Sequence, residues 1–269
     1  MFSSLTQAAC HILETANVTQ KAEQTLKAYH AYHAGEIKLG DAQIPPAHPA
    51  RPEKPELISP SRMPKRSTGI KGKIGLLHAI AHIELNAIDL AWDMIARFAM
   101  QKNMPQEFAK DWLKVAHDEA VHFTLLNNRL EELGASYGDL PAHDGLWEAA
   151  DHTKDNLGAR LAVVPMVLEA RGLDVTPKMI EQLKSANDPE TVKILQRIYD
   201  DEITHVYIGV KWFEYVVGVP IEQATDLFHD YLKRYFRGSL IPPFNVPARD
   251  SAEMPQSFYQ DYIAHRVSS

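Results

Sequence analysis

Two related pentapeptides constrain the fold of this chain more than any other feature of its sequence: Asp118-Glu119-Ala120-Val121-His122 and Asp201-Glu202-Ile203-Thr204-His205. In a helix, side chains three positions apart project from one face, so each Glu and His can bind the same metal ion. A lone Glu in apolar sequence precedes each pentapeptide, Glu84 before the first and Glu169 before the second. The sequence therefore predicts four helices that supply Glu, Glu-x-x-His, Glu and Glu-x-x-His to a di-metal carboxylate site.

Helical periodicity places the first three candidate ligands in the middle of apolar stripes. A helix predicted from Ser67-Thr68 to about Met100 has its apolar stripe centred on Glu84. A helix predicted from Pro105 to Leu133-Gly134 has its stripe centred on Glu119 and His122. Burying several carboxylates without compensation is costly, whereas two divalent cations would balance four of them. The pattern favours metal ligands over ordinary helix acids.

The second half of the chain repeats this helix pair. Three helices are predicted there, over residues 147–172, 176–187 and 188–218. The first carries Glu169 and is expected to kink at Pro165, and the second begins with Thr176-Pro177 at its N-terminus. The third has an apolar stripe centred on Glu202 and His205. The two halves resemble an internal duplication of a helix pair.

The N-terminal flank of these helices is expected to be partly helical and partly extended. Residues 3–34 lack internal Pro and Gly and predict one or two helices with a break near Asn17-Val18-Thr19. Residues 44–64 contain seven prolines, which fix φ and remove backbone donors, so we expect an extended strap. The apolar groups that would dock this strap are Leu57, Ile58 and Met63.

The remaining segments complete the predicted organisation. Residues 135–145 contain turn formers and predict a long crossover between the two helix pairs. An amphipathic helix is predicted over about 221–237, and an extended, proline-containing tail follows it. The groups expected to dock this tail are Phe244, Phe258, Tyr259 and Tyr262. The predicted parts are an N-terminal helical segment with its strap (1–66), a helical bundle (67–218), and a C-terminal helix with its tail (219–269).

The other histidines and aromatic residues are weaker candidates for the site. His11, His30 and His33 are predicted on the surface, and His229 and His265 receive no role. His82 projects from the side of its helix opposite Glu84, together with Asn86, Asp89 and Asp93. His78 lies between the two sides, and its role is left open. Trp112 and Tyr199 are interpreted as core residues, with electron transfer as the alternative.

Composition and charge bear on the cellular compartment of the protein and on the classes of partner that it can bind. The net charge of −7 argues against broad electrostatic capture of nucleic acid, although a tRNA substrate is not excluded. Two basic clusters are interpreted as solvated helix ends: Lys65, Arg66, Lys71 and Lys73, and Lys233, Arg234 and Arg237. A single cysteine, the absence of a signal-peptide pattern and the short apolar runs predict a cytoplasmic protein without membrane spans.

The ligand pattern from about Ser67 to Gly218 resembles the ferritin-like superfamily. The stretches Leu76-Leu77-His78-Ala79-Ile80-Ala81-His82-Ile83-Glu84 and Met63-Pro64-Lys65-Arg66 are similar to those of a bacterial ferritin-like group whose function is not established. The resemblance implies an all-α, ferritin-like four-helix bundle with additional N- and C-terminal helices and proline-rich extended segments. It also implies two iron ions, or manganese, at this site.

The resemblance further implies a division of the six ligands and an activity. Glu119 and Glu202 would bridge the metals, Glu84 and His122 would complete one of them, and Glu169 and His205 the other. The implied function is an oxygen-dependent di-iron oxidoreductase, distantly similar to the bacterial tRNA-modifying monooxygenase, with an unknown or small-molecule substrate and an electron donor. The alternatives are an iron-binding or ferroxidase-type protein without organic substrate, and a structural metal site. A pocket lined by Met166, Phe123 or Tyr199 would favour the enzyme.

Overall fold

All the regular structure in the described part of the chain is helical. The computed structural model describes residues 2–64 and 68–267, with side-chain surroundings up to residue 263. Within these ranges the only β pairing is an isolated parallel bridge between Leu57 and Ala142. The chain divides into two compact units, Met1–Trp147 and Glu148–Ser269. The prediction of an all-α protein is therefore confirmed.

The N-terminal unit is built on a long helix pair. Its four main helices are α1 (Leu5–Leu13), α2 (Val18–His33), α3 (Gly69–Met94) and α4 (Gln106–Glu132). A π-helical turn, Ile95–Ala99, extends α3. The helices α3 and α4 pack along one another, α1 packs on α3, and α2 packs on α4. The predicted break between the first two helices is confirmed, because the Asn17 side chain caps α2 by accepting from the Gln20 N–H at 2.9 Å.

The strap crosses this unit in extended form, apart from a single 3-10 turn at Pro60–Arg62. Backbone hydrogen bonds join it to the crossover loop, from Ile58 N to Ala142 O at 2.8 Å and from Ala142 N to Glu56 O at 3.0 Å. Arg51 connects it to α3 through Asp89, at 2.7 Å. Leu57, one of the predicted docking groups, is 42% exposed. Hydrogen bonds and the Arg51 ion pair, more than apolar contacts of Leu57, attach the strap.

One helical segment of the described chain, Gly69–Ala99, is long and apolar enough to cross a bilayer. Most of its apolar window, 67%, is buried within the protein, as in the core helix of a soluble protein. The reason is that α3 is covered on more than one side, by α4 and by α1.

The C-terminal part of the chain contains α5 (Gly145–His152), which spans the division between the units, α6 (Leu157–Val163), α7 (Ala170–Ser185), α8 (Pro189–Val217), α9 (Thr225–Tyr235), α10 (Val246–Ser251) and α11 (Gln256–Val267). A π-helical turn, Val164–Glu169, joins α6 to α7. The helices α7 and α8 pack along one another, and α9 packs on α6. The predicted helices over 188–218 and 221–237 are confirmed in outline by α8 and α9.

The prediction of one helix over residues 147–172 is wrong. The chain leaves the helix after His152 and re-enters it at Leu157, where Asn156 caps α6 by accepting from the Ala159 N–H at 3.0 Å. The buried Arg160 side chain donates to the carbonyl of Ala150 at 2.6 Å, so the end of α5 has a donor from outside its own helix. Pro165, where a kink was expected, lies in the first turn of the π-helical segment, and the kink itself stays a prediction.

The predicted separate helix beginning at Thr176-Pro177 is also wrong, because α7 continues without interruption from Ala170 to Ser185. Pro177 has no N–H to donate to the carbonyl of Leu173, one turn earlier. The Asn245 side chain donates to that carbonyl instead, at 3.0 Å. A contact from the C-terminal segment thus supplies the hydrogen bond that Pro177 removes.

The tail is helical where an extended chain was predicted. Asn245 caps α10, with Pro247 in its first turn, and Pro255 directly precedes α11. Prolines therefore begin these helices rather than prevent them. Three of the four predicted docking groups, Phe258, Tyr259 and Tyr262, are buried as expected. Phe244 packs against Tyr259 with ring centroids 4.8 Å apart.

Candidate metal centre

Three buried side chains of the N-terminal unit converge between its two longest helices. Glu84 comes from α3, and Glu119 and His122 come from α4. Ligand atoms of the three all lie within 4.8 Å of one another. His122 Nδ1 is 3.0 Å from Glu84 Oε2 and 3.5 Å from Glu119 Oε2. The apolar stripes of α3 and α4 face each other, which brings their central polar residues together and makes this cluster able to hold a metal ion.

The electrostatics of this cluster favour a bound cation. Glu84 is 3% exposed, and Glu119 and His122 are fully buried. Burial and, second, the charge of Glu119 together raise the pKa of Glu84 to about 8, although His122 partly offsets both effects. Burial removes the negative charge of Glu84 from water, and Glu119 repels that charge, without full compensation of either effect. A divalent cation would supply that compensation, so the residues present fit a metal ion.

The C-terminal unit contains the second Glu-x-x-His pair on α8. Glu202 Oε2 lies 3.7 Å from His205 Nδ1, and both residues are buried. Glu169 is the last residue of the π-helical turn and is 9% exposed. A Cβ at Gly209 would lie 2.7 Å from Pro165 Cβ, so the glycine allows α8 to approach this turn closely.

The six predicted ligands therefore all occupy buried positions on helical segments, although Glu169 lies in a π-helical turn instead of the single helix expected there. The structure of the N-terminal unit brings Glu84, Glu119 and His122 together, and that of the C-terminal unit brings Glu202 and His205 together. The assignment of all six, including Glu169, to one pair of metals stays a prediction.

The histidines left outside the predicted site have other contacts. His82 Nδ1 accepts from the Tyr137 hydroxyl at 2.8 Å, and burial lowers the pKa of His82 to about 4. His78 Nε2 accepts from the Gly138 N–H at 2.9 Å. His229 is buried and lies 3.1 Å from the carbonyl of Ser257. His11, His30 and His33 are exposed as predicted, and the His265 side chain lies outside the described residues.

The remaining candidates from the sequence analysis are two aromatic residues and two basic clusters. Trp112 is buried, which agrees with a core residue, and the Tyr199 hydroxyl accepts from Asn245 at 3.0 Å. Lys233, Arg234 and Arg237 are exposed, as expected for solvated groups near a helix end. Lys65 and Arg66 of the other basic cluster lie outside the described residues.

Sequence reasoning missed a buried ionic network on the other side of α3. Asp89 is fully buried and pairs with Lys21 of α2 and with Arg51 of the strap. Arg51 also donates to the Asn86 side chain. The available signal was the helical spacing of polar residues opposite Glu84, which indicates a second specific face on an apolar helix. The cationic partners lie far away in sequence, so spacing alone does not identify them.

Comparisons with known proteins identify a family and a relative but provide no activity. The sequence model of a family described as "Protein of unknown function (DUF455)" matches residues 14–260. An uncharacterized protein of Haemophilus influenzae is 44% identical over 218 residues, which cover 77% of this chain and 74% of that protein. No solved structure matches the chain significantly.

Proposed function

We propose that this chain, which belongs to the DUF455 family of proteins of unknown function, is a non-haem di-iron or di-manganese carboxylate protein that oxidises a substrate with oxygen. The observation that carries the proposal is the buried cluster of Glu84, Glu119 and His122. A cluster of this kind is expensive for a protein to keep without a cation. Mixed nitrogen and oxygen donors are compatible with iron and with manganese.

The second half of the proposed centre comes from the repeated sequence pattern. Glu169, Glu202 and His205 have the same residue types and nearly the same spacing as the first three ligands. Following the ferritin-like resemblance, we assign Glu84 and His122 to one metal and Glu169 and His205 to the other, and Glu119 and Glu202 would be shared by both. Six protein ligands leave coordination positions open on two metals, which distinguishes the proposed centre from a closed structural site.

Each residue type has a defined task in this proposal. When bound, a pair of redox-active metals supplies the electrons and the oxygen activation that side chains lack. Glu84 and His122 would hold one metal, and their burial would keep bulk water away from it. Because the pKa of Glu84 is raised by burial, metal binding must displace its proton.

Metal analysis tests the proposal directly. Protein produced in iron-replete cells should contain two equivalents of iron or manganese per chain. Anaerobic loading with ferrous ion and subsequent exposure to oxygen should consume oxygen. Metal without oxygen consumption would favour a structural site, and oxygen consumption that only oxidises the added iron would favour the ferroxidase-type alternative. Protein that takes up no metal under either condition would refute the proposal.

A substitution at Glu119 tests the bridging assignment. Glu119→Ala should lower occupancy at both metal positions, because one carboxylate serves both metals. Glu107→Ala is the matched control, since Glu107 lies on the same helix and is exposed. A Glu119→Ala protein that loses one equivalent and retains the other would contradict the bridging role.

A further inference from the structure

A cavity of about 710 Å³ lies in the N-terminal unit, between the end of the strap, the first turns of α3 and the loop at residues 140–143. Apolar side chains form much of its described wall, including Met63, Ile74, Leu76 and Leu140. None of the six candidate metal ligands is among its described lining residues. The cavity is therefore distinct from the proposed metal centre.

Hydrogen bonds hold the walls of this cavity in place. The strap and the loop are joined by the pair of backbone hydrogen bonds between Ile58, Glu56 and Ala142. The loop is joined to α3, because His82 Nε2 donates to the His143 carbonyl at 3.1 Å. The volume of the cavity falls in the range of about 300–1,000 Å³ that is usual for pockets binding small molecules. A ligand would thus enter a preformed space and need little rearrangement of the wall.

The ionisable groups among the described lining residues are two histidines and one lysine, without a carboxylate. His78 is 2% exposed, and its Nε2 atom accepts from the Gly138 N–H, so the ring proton is on Nδ1. Burial lowers the pKa of His78, which keeps the ring neutral near pH 7. His78 is therefore a neutral, almost fully buried ring in the wall of the cavity, and the exposed Lys71 adds a positive charge.

We propose that this cavity binds an organic anion with an apolar body, of the class of a medium-chain monocarboxylate. The apolar chain would lie against Ile74, Leu76 and Leu140, and the carboxylate would accept a hydrogen bond from Lys71. A cationic ligand would meet the charge of Lys71 without a described carboxylate to balance it. The cavity thus selects an anion in a protein whose net charge is −7.

Calorimetric titration of the full-length protein with decanoate tests this proposal, with decanol as the uncharged comparison. Decanoate should bind saturably and more tightly than decanol. Lys71→Met should weaken decanoate binding about two- to fivefold, the effect of one solvent-exposed charge pair. Lys110→Met is the matched control, because Lys110 is exposed on α4 and does not line the cavity.

A second variant tests the location. Ala79 is exposed and lines the cavity, so Ala79→Phe should fill the space without disturbing the core. Because the larger side chain would displace several methylene groups of decanoate from the apolar wall, we expect at least about tenfold weaker binding of decanoate. An unchanged thermal unfolding midpoint would show that the variant is folded.

Three results would overturn the proposal: no saturable binding of decanoate, equal affinity for decanol, or unchanged affinity in Ala79→Phe. Each titration is repeated with chelator and with added manganese. The same decanoate affinity is expected in both, because the cavity and the metal ligands are separate. A failure of the metal proposal would therefore leave this result unaffected.

Discussion

Substitution of Glu84 by Gln should make the stability of the metal-free protein less dependent on pH. In the unfolded chain Glu84 ionises near its ordinary pKa of 4.5, whereas burial and the charge of Glu119 keep it protonated in the folded chain until about pH 8. Below pH 4.5 the Glu84 carboxyl is protonated in both the folded and the unfolded state, so it does not make the stability depend on pH. Between these two values unfolding releases a proton, so stability falls as pH rises. Above pH 8 the full penalty is present.

The magnitude follows from the same pKa difference. One pKa unit corresponds to about 1.4 kcal/mol, so the change from 4.5 to about 8 corresponds to a penalty on the order of 5 kcal/mol. Gln has a similar shape and no charge, so Glu84→Gln should avoid this penalty. The difference in unfolding free energy between variant and wild type should therefore grow in favour of the variant from pH 5 to pH 8.5.

Urea denaturation of chelator-treated protein at several pH values measures this difference. Glu107→Gln is the matched control, because Glu107 is exposed and its removal should leave the pH dependence unchanged. A difference between wild type and Glu84→Gln that stays constant across this pH range would refute the reasoning. Manganese should reverse the order at pH 8, because the ionised Glu84 binds a cation that the neutral amide of the variant cannot hold in the same way.

Two further predictions concern the structure around the candidate ligands. Asp89→Ala should destabilise the protein by about 3–5 kcal/mol, measured by urea denaturation, because it leaves Lys21 buried without the carboxylate that compensates its charge. Gly209→Ala should destabilise it by about 1–3 kcal/mol, because the added Cβ would lie 2.7 Å from the rigid ring of Pro165.

Each of these two substitutions has a control in the same chain. Asp230→Ala removes an exposed partner of Arg234 and should change stability by no more than about 0.5 kcal/mol. Gly75→Ala also lies inside a helix, but its Cβ would have an ordinary 4.0 Å contact with Leu140 and should not destabilise. If a test variant and its control lose equal amounts of unfolding free energy, then burial of the ion pair or close approach of the helix does not cause the destabilisation.

The candidate ligands were predictable because the relevant signal is local. The position of Glu84 within its apolar stripe, and the three-residue spacing of Glu119 and His122, follow from the geometry of a single helix. The facing of α3 and α4 then follows from the burial of both stripes. The ionic network around Asp89 was harder to predict from the sequence, because its partners Lys21 and Arg51 come from separate segments of the chain.

The amino-acid sequence by itself determined the all-α character, the first two helices and the inward position of the Glu and His residues, because each depends on periodicity and capping within one segment. Tertiary structure decided where the second half of the chain stays helical. Pro177 predicts a helix start, yet Asn245, 68 positions later, donates to the Leu173 carbonyl and the helix continues through it. Local rules describe the hydrogen bond that a proline removes, whereas the folded chain determines which distant side chain replaces it.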